Sequence, residues 1–341
     1  MSQQRNWTRR SAITAAAGVA AATSLTPTAH ARPPAGGGQT AVGRLYEIRS
    51  GRHRAVVAGV AATLLSWQVD GTEMLLTHDP SWLGEGYQGK TILPWPNRIE
   101  SGRYTFGGQQ LQVPINEPSR QAALHGLMSW VEWQPVRHRR DGVVLEYLLH
   151  PHYGYPFTLA FQIEFTVDGR GVSSRLSAKN VGDTDAPFGT ANHSYIAASG
   201  PAIDTMGFEL PASTYYVTDD NLIPTGTAPV AGTEYDFRSA RRIGSTKMDT
   251  AFTDLARESG GDAVVRFERP GGENVELWVD RTHGYLQVYT DDSPSEDRPA
   301  RAGITVEPMT CAPNAFVTGD GLITLRPGEV HEGRWGYRIG G

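Results

Sequence analysis

Glycine and proline interrupt this chain so often, 39 and 22 times, that long helices have little room. What lies between the interruptions alternates. In Phe157–Val167 (FTLAFQIEFTV), Phe157, Leu159, Phe161, Ile163 and Phe165 share one face of an extended segment. Ala263–Phe267, the turn Pro270-Gly271-Gly272 and Val275–Val279 read as a hairpin. Further strands are expected at 44–49, 54–58, 63–69, 143–149, 171–179, 285–289 and 304–307. Only the 239–258 region offers a helical turn. Many short strands with no break in composition imply an all-β fold: one large antiparallel sandwich whose sheet face serves as a binding trough.

The first 39 residues stand apart. Arg9-Arg10, an Ala-rich apolar run from Ala12 to Leu25 and then Ala29-His30-Ala31 have the form of an export signal with a small-x-small cleavage site. The paired arginines point to the twin-arginine route, hence to a secreted or extracytoplasmic protein. The expected organisation is a signal over 1–31, a flexible Pro/Gly leader over 32–39 and one domain over 40–341. The apolar run is too short for a membrane span, and no second candidate follows. Removing 1–31, which hold three arginines and no acid, takes the basic count from 31 to 28 against 36 acids, a net charge of −8. That balance argues against a nucleic-acid partner. Cys311 is alone, which excludes an intrachain disulfide and favours a small buried hydrophobe.

Polar residues gather at a few points. Pro94 and Pro96 stiffen the approach to Asn97-Arg98, and Leu124-His125-Gly126 forms a corner further along. An amide, a guanidinium and an imidazole on loops suit a neutral, hydroxyl-rich ligand. His193 sits in Asn192-His193-Ser194-Tyr195 at a strand end, and Asp249 in STKMDTAFTDL reads equally as a turn residue. Glu307 ends an apolar strand before Pro308, where desolvation raises a carboxyl pKa. Together these groups are equipped for general acid–base work on a sugar.

In this order the motifs resemble the aldose 1-epimerase (galactose mutarotase) family over essentially the whole chain after the leader. The resemblance rests on Asn97-Arg98-Ile99, Leu124-His125-Gly126, Asn192-His193-Ser194-Tyr195, Leu222–Gly226, Asp249 and Val306-Glu307-Pro308. It implies a large antiparallel β-supersandwich with the sugar in a cleft across it. It also implies Glu307 as general base and His193 as general acid, with His125, Arg98, Asn97 and Asp249 as sugar-binding groups. Anomer interconversion opens the hemiacetal, rotates C1–C2 and recloses. On this reading a carboxylate and an imidazole flank the ring from opposite sides, and no metal or other cofactor is needed.

The sequence departs from the family pattern after Tyr195, where Ile196-Ala197-Ala198 stand in place of Phe-Asn-Leu, so galactose is not carried over as the preferred aldose. Trp95, Trp130 and Trp133 are candidates to stack on sugar, although an aromatic on a β-surface is more often core. His150-Pro151-His152 reads as a solvated loop, and Asp291–Asp297 as a solvated hairpin tip. Monomer and weak dimer both stay open. The alternative to an enzyme is an epimerase-like carbohydrate-binding protein; a sugar-phosphate enzyme would need more cations in the cleft than Arg98.

Overall fold

A computed structural model describes residues 40–295 and 298–340; the expected signal and leader lie outside the described residues. Strands dominate, and every strand pair is antiparallel. Among the described residues nine strands form one large sheet, eight form a second, and Leu45–Glu73 contributes four strands to a third. Alternation decides which faces meet. Phe161, Ile163 and Phe165 of the nine-stranded sheet share one buried cluster with Leu286, Val288, Ile304 and Val306 of the eight-stranded sheet and with Ile48, Val57 and Trp67 of the third. Apolar burial on facing sheets is what closes such a sandwich.

The strands follow the pattern of the sequence closely. Thr63–Val69 and Tyr285–Tyr289 have the expected ends, and the Ala263–Glu268/Val275–Val279 hairpin forms. The helical turn does not fall in 239–258, which holds the strands Arg241–Arg242 and Asp249–Leu255. The β-branched and aromatic side chains of Asp249–Leu255 favour a pleated surface, and a partner strand on each side uses its backbone. Among the described residues the one α-helical turn is Ala315–Thr318, after Asn314 in left-handed backbone. No helix among the described residues is long and apolar enough to cross a membrane.

Gly303–Met309 is the strand that matters for function, because it is covered on both faces. Ile304 and Val306 enter the core, so Thr305 and Glu307 point to the opposite face. Tyr285–Tyr289 pairs along one edge, with Gln287 opposite Glu307 and Tyr289 opposite Thr305. Asp249 lies opposite Tyr289 on the next strand. The period of two therefore puts Asp249, Gln287, Tyr289 and Glu307 on one face.

Candidate active site

The other edge of Gly303–Met309 supplies the histidine. Ala191 lies opposite Met309 and Tyr195 opposite Thr305, so the same register across the intervening break sets His193 opposite Glu307. The backbone of His193 is engaged on its far side, donating from N to Lys90 O and accepting from Gly89 N at 3.0 Å each. Its side chain is thereby turned to Glu307, with His193 Nε2 and Glu307 Oε1 3.3 Å apart.

Asn192 fixes this break in the ladder. Fully buried, it donates from Nδ2 to Gly89 O and Lys90 O and accepts at Oδ1 from Ser194 N and Ser194 Oγ. Asn192→Ala strands these groups and is expected to cost about 2–3 kcal/mol of stability and to blur the position of His193. Denaturant midpoints and activity, measured together, check it; an unchanged midpoint rejects the stapling role.

The second half comes from a different corner. Arg98 pairs with Leu124 in a short ladder, which brings Asn97 beside His125. Asn97 and His125 both adopt left-handed backbone, and Gly126 follows at φ 69° with no room for a side chain: a Cβ there would lie 2.0 Å from Leu93 O. The Asn97 N–H donates to His125 Nδ1 at 3.2 Å, which leaves the His125 proton on Nε2. Arg98 makes a two-pronged ion pair with Glu117, Nε–Oε2 2.7 Å and the second prong 2.9 Å.

All six residues singled out in the sequence line one cavity of about 330 Å³, together with Tyr87, Glu117, Arg120, Gln287 and Tyr289. That volume is at the small end for ligand pockets and fits a molecule the size of one sugar ring. Two wider surface hollows, of about 690 and 730 Å³, contain none of the six. Glu117 and Gln287 carry no spacing signal in the sequence. Gln287 is legible only through its place opposite Glu307, from which its amide donates to Asp249 Oδ1 at 2.6 Å.

Burial sets the electrostatics. It lifts the Glu307 carboxyl well above the usual range, with Asp249 adding to the rise and Arg98 opposing it. It lowers His193 to about 3, and it holds His125 well below an ordinary imidazole, helped by His193 and Arg98. Asp249 is raised by burial against the pull of Arg98 and Gln287. Burial thus works against the imidazolium form of both histidines and against the carboxylate form of Glu307. Glu307 Oε2 and His193 Nδ1 are buried without a hydrogen-bond partner among the described residues.

His125, His193 and Glu307 each bring a donor atom within 4.8 Å of the others, close enough to raise the question of a metal. The surrounding donors do not suit one. A ligating imidazole normally donates its other N–H to an acceptor. Here His125 Nδ1 accepts a hydrogen bond from Asn97 N instead, which leaves its proton on the Nε2 a metal would need.

The other expectations divide. Cys311 is buried, as expected, and His150 and His152 lie in an exposed loop. Trp95 and Trp133 are core residues, packed on Phe316 and Phe161 respectively, and do not reach the cleft. Trp130 is 54% exposed and lies next to Tyr87. Asp291 is buried against Arg298 at 2.8 Å and Asp292 pairs with Arg301 at 2.6 Å, so these two acids do not belong to a solvated tip; Ser293 and Pro294 are exposed, and Glu296-Asp297 lie outside the described residues. Arginines brought in by the fold neutralise Asp291 and Asp292.

An antiparallel β-sandwich with a buried carboxyl–imidazole pair in a polar, sugar-sized cleft defines a narrow class of proteins. The chain matches the aldose 1-epimerase family profile over residues 44–338 and belongs to that family of isomerases. It is 33% identical over 290 residues to the uncharacterized protein YihR of Escherichia coli (strain K12), covering 85% of this chain and 91% of that one. It is 28% identical over 278 residues to the aldose 1-epimerase of the same organism, covering 73% and 77%. The fold is shared with the GalM/aldose epimerase homologue from C. elegans, at a TM-score of 0.77 and 20% identity over 87% of this chain and 98% of that one. The galactose 1-epimerase of Lactobacillus acidophilus gives 0.74 at 22% identity, over 87% and 95%.

Proposed function

We propose that the protein interconverts the α and β anomers of a free aldose, with Glu307 as general base and His193 as general acid. The observation that carries this reading is the 3.3 Å contact of these two groups, with Glu307 Oε2 still unpartnered, in the lining of the cleft. The anomeric oxygen O1 and the ring oxygen O5 are both bonded to C1. An acid and a base that are neighbours, as Glu307 and His193 are, can therefore serve the two oxygens together.

In the forward step the pair's proton first moves from Glu307 to His193 Nε2 as the sugar's contacts form; the O1–H proton then passes to Glu307 and the His193 Nε2 proton passes to O5. The C1–O5 bond breaks as the C1–O1 double bond forms. The pair that results, a protonated carboxyl beside a neutral imidazole, carries no charge, and burial favours it on both sides. The protein thus stabilises its side of the open-chain intermediate without exposing it to water. Rotation about C1–C2 and the reverse transfers close the ring on either face. Asp249, held by Gln287, together with Arg98, Asn97 and the Nε2–H of His125, supplies acceptors and donors for the hydroxyls.

Polarimetry on the purified protein tests this: mutarotation of fresh α-D-glucose or α-D-galactose is expected to run faster than the buffer rate. Binding without acceleration for any common aldose would leave the carbohydrate-binding alternative. Export through the twin-arginine route is part of the same proposal, supported by Arg9-Arg10 and Ala29-His30-Ala31. Its test is the N-terminal sequence of the protein recovered from outside the cytoplasm.

A further inference from the structure

Beside the cleft is an aromatic arrangement that the chemistry at C1 does not use. Tyr87, in left-handed backbone within the Gly84–Gly89 loop, sets its ring 4.6 Å from the His125 ring and 5.8 Å from the Trp130 ring. Trp130 is half in solvent, and a single exposed aromatic would mean little by itself. This one is held. The Lys90 ammonium lies 3.6 Å from its ring centre and donates to Ser129 O at 2.9 Å. Lys90 is buried and has no carboxylate partner among the described residues, and burial lowers it to about 8. An ammonium kept in such surroundings is anchored by the neighbouring carbonyl and by the indole face. The outcome is an indole fixed on one side and adjacent, through Tyr87, to the cleft.

We propose that Tyr87 and Trp130 form a second subsite, on which the next sugar ring of a reducing-end oligosaccharide stacks. This rests on the proposed anomer interconversion: C1 must be free at Glu307–His193, so any further ring has to leave the cleft by its rim. The cavity of about 330 Å³ holds one ring, and the Tyr87–Trp130 ledge continues from it. The C–H face of a pyranose is apolar and flat enough to cover an indole. A ring already immobilised loses little conformational freedom on binding.

The test compares kcat/KM for glucose, maltose and lactose in the parent protein, Trp130→Ala and Trp130→Phe. Trp130→Ala is expected to lower the disaccharide-to-glucose ratio roughly tenfold, chiefly through KM, and Trp130→Phe to restore most of it. An unchanged ratio in Trp130→Ala overturns the subsite. Should no aldose be turned over, the proposed function fails separately, and calorimetry with the same sugars then decides the subsite. A disaccharide preference present in the parent and lost in Trp130→Ala supports it; no preference in the parent overturns it.

Discussion

Glu307→Gln is expected to lower kcat for anomer interconversion by about 10²–10⁴-fold, or about 3–5 kcal/mol of barrier, while sugar still binds. Gln keeps the shape and hydrogen-bonding reach of the side chain but cannot take the O1–H proton. Polarimetry and calorimetry on one preparation separate the two effects, and an undiminished rate would remove Glu307 as the base. The substitution also has a signed effect on stability. Folding raises the Glu307 pKa, so the folded protein holds that proton more tightly than the unfolded chain. Stability is then lost as pH rises from the unfolded value towards the folded one. Gln has no proton to lose. The melting temperature of Glu307→Gln should therefore gain on the parent as pH rises above the ordinary carboxyl range, and a constant difference would contradict the raised carboxyl.

Glu117→Ala is expected to destabilise the protein by about 3 kcal/mol, at the lower end for breaking a buried ion pair. The Arg98 side chain is 9% exposed and that of Glu117 18%, so neither charge is well solvated. Without Glu117, Arg98 is left to the two other carboxyls that feel its charge, Asp249 and Glu307. Drawn towards Glu307 it would hold the carboxylate ionised and depress turnover as well as stability. Glu117→Gln, which keeps the shape and one acceptor, should recover part of both. Chemical denaturation gives the stability term; a loss below about 1 kcal/mol would show that solvent replaces Glu117 without difficulty.

Local patterns were readable where local physics decides them. Thr63–Val69 and Tyr285–Tyr289 are half-buried or buried strands between turn residues, and their ends follow from that alone. Asn97-Arg98 and His125-Gly126 were noticeable because stiff or left-handed backbone needs particular residues nearby. Other features depend on what a distant segment presents. Trp95, Trp130 and Trp133 look alike in sequence, yet two are core and one is at the rim of the cleft. Asp291 and Asp292 look solvated until Arg298 and Arg301 are folded against them. Glu117 is an ordinary loop acid until Arg98 docks on it.

The sequence by itself determined an all-β chain, because alternation and turn chemistry are carried by neighbours along the chain, and the six polar residues that meet in one cleft were singled out by residue type together with the family resemblance of their motifs. Tertiary structure alone decided that His193 lies opposite Glu307, that His125 keeps its proton on Nε2, and that Gln287 holds Asp249. Each of these follows from strand register, and register is set by long-range burial of one sheet face. A slip of one residue would send Glu307 into the core and Val306 into the cleft without changing a letter of the sequence.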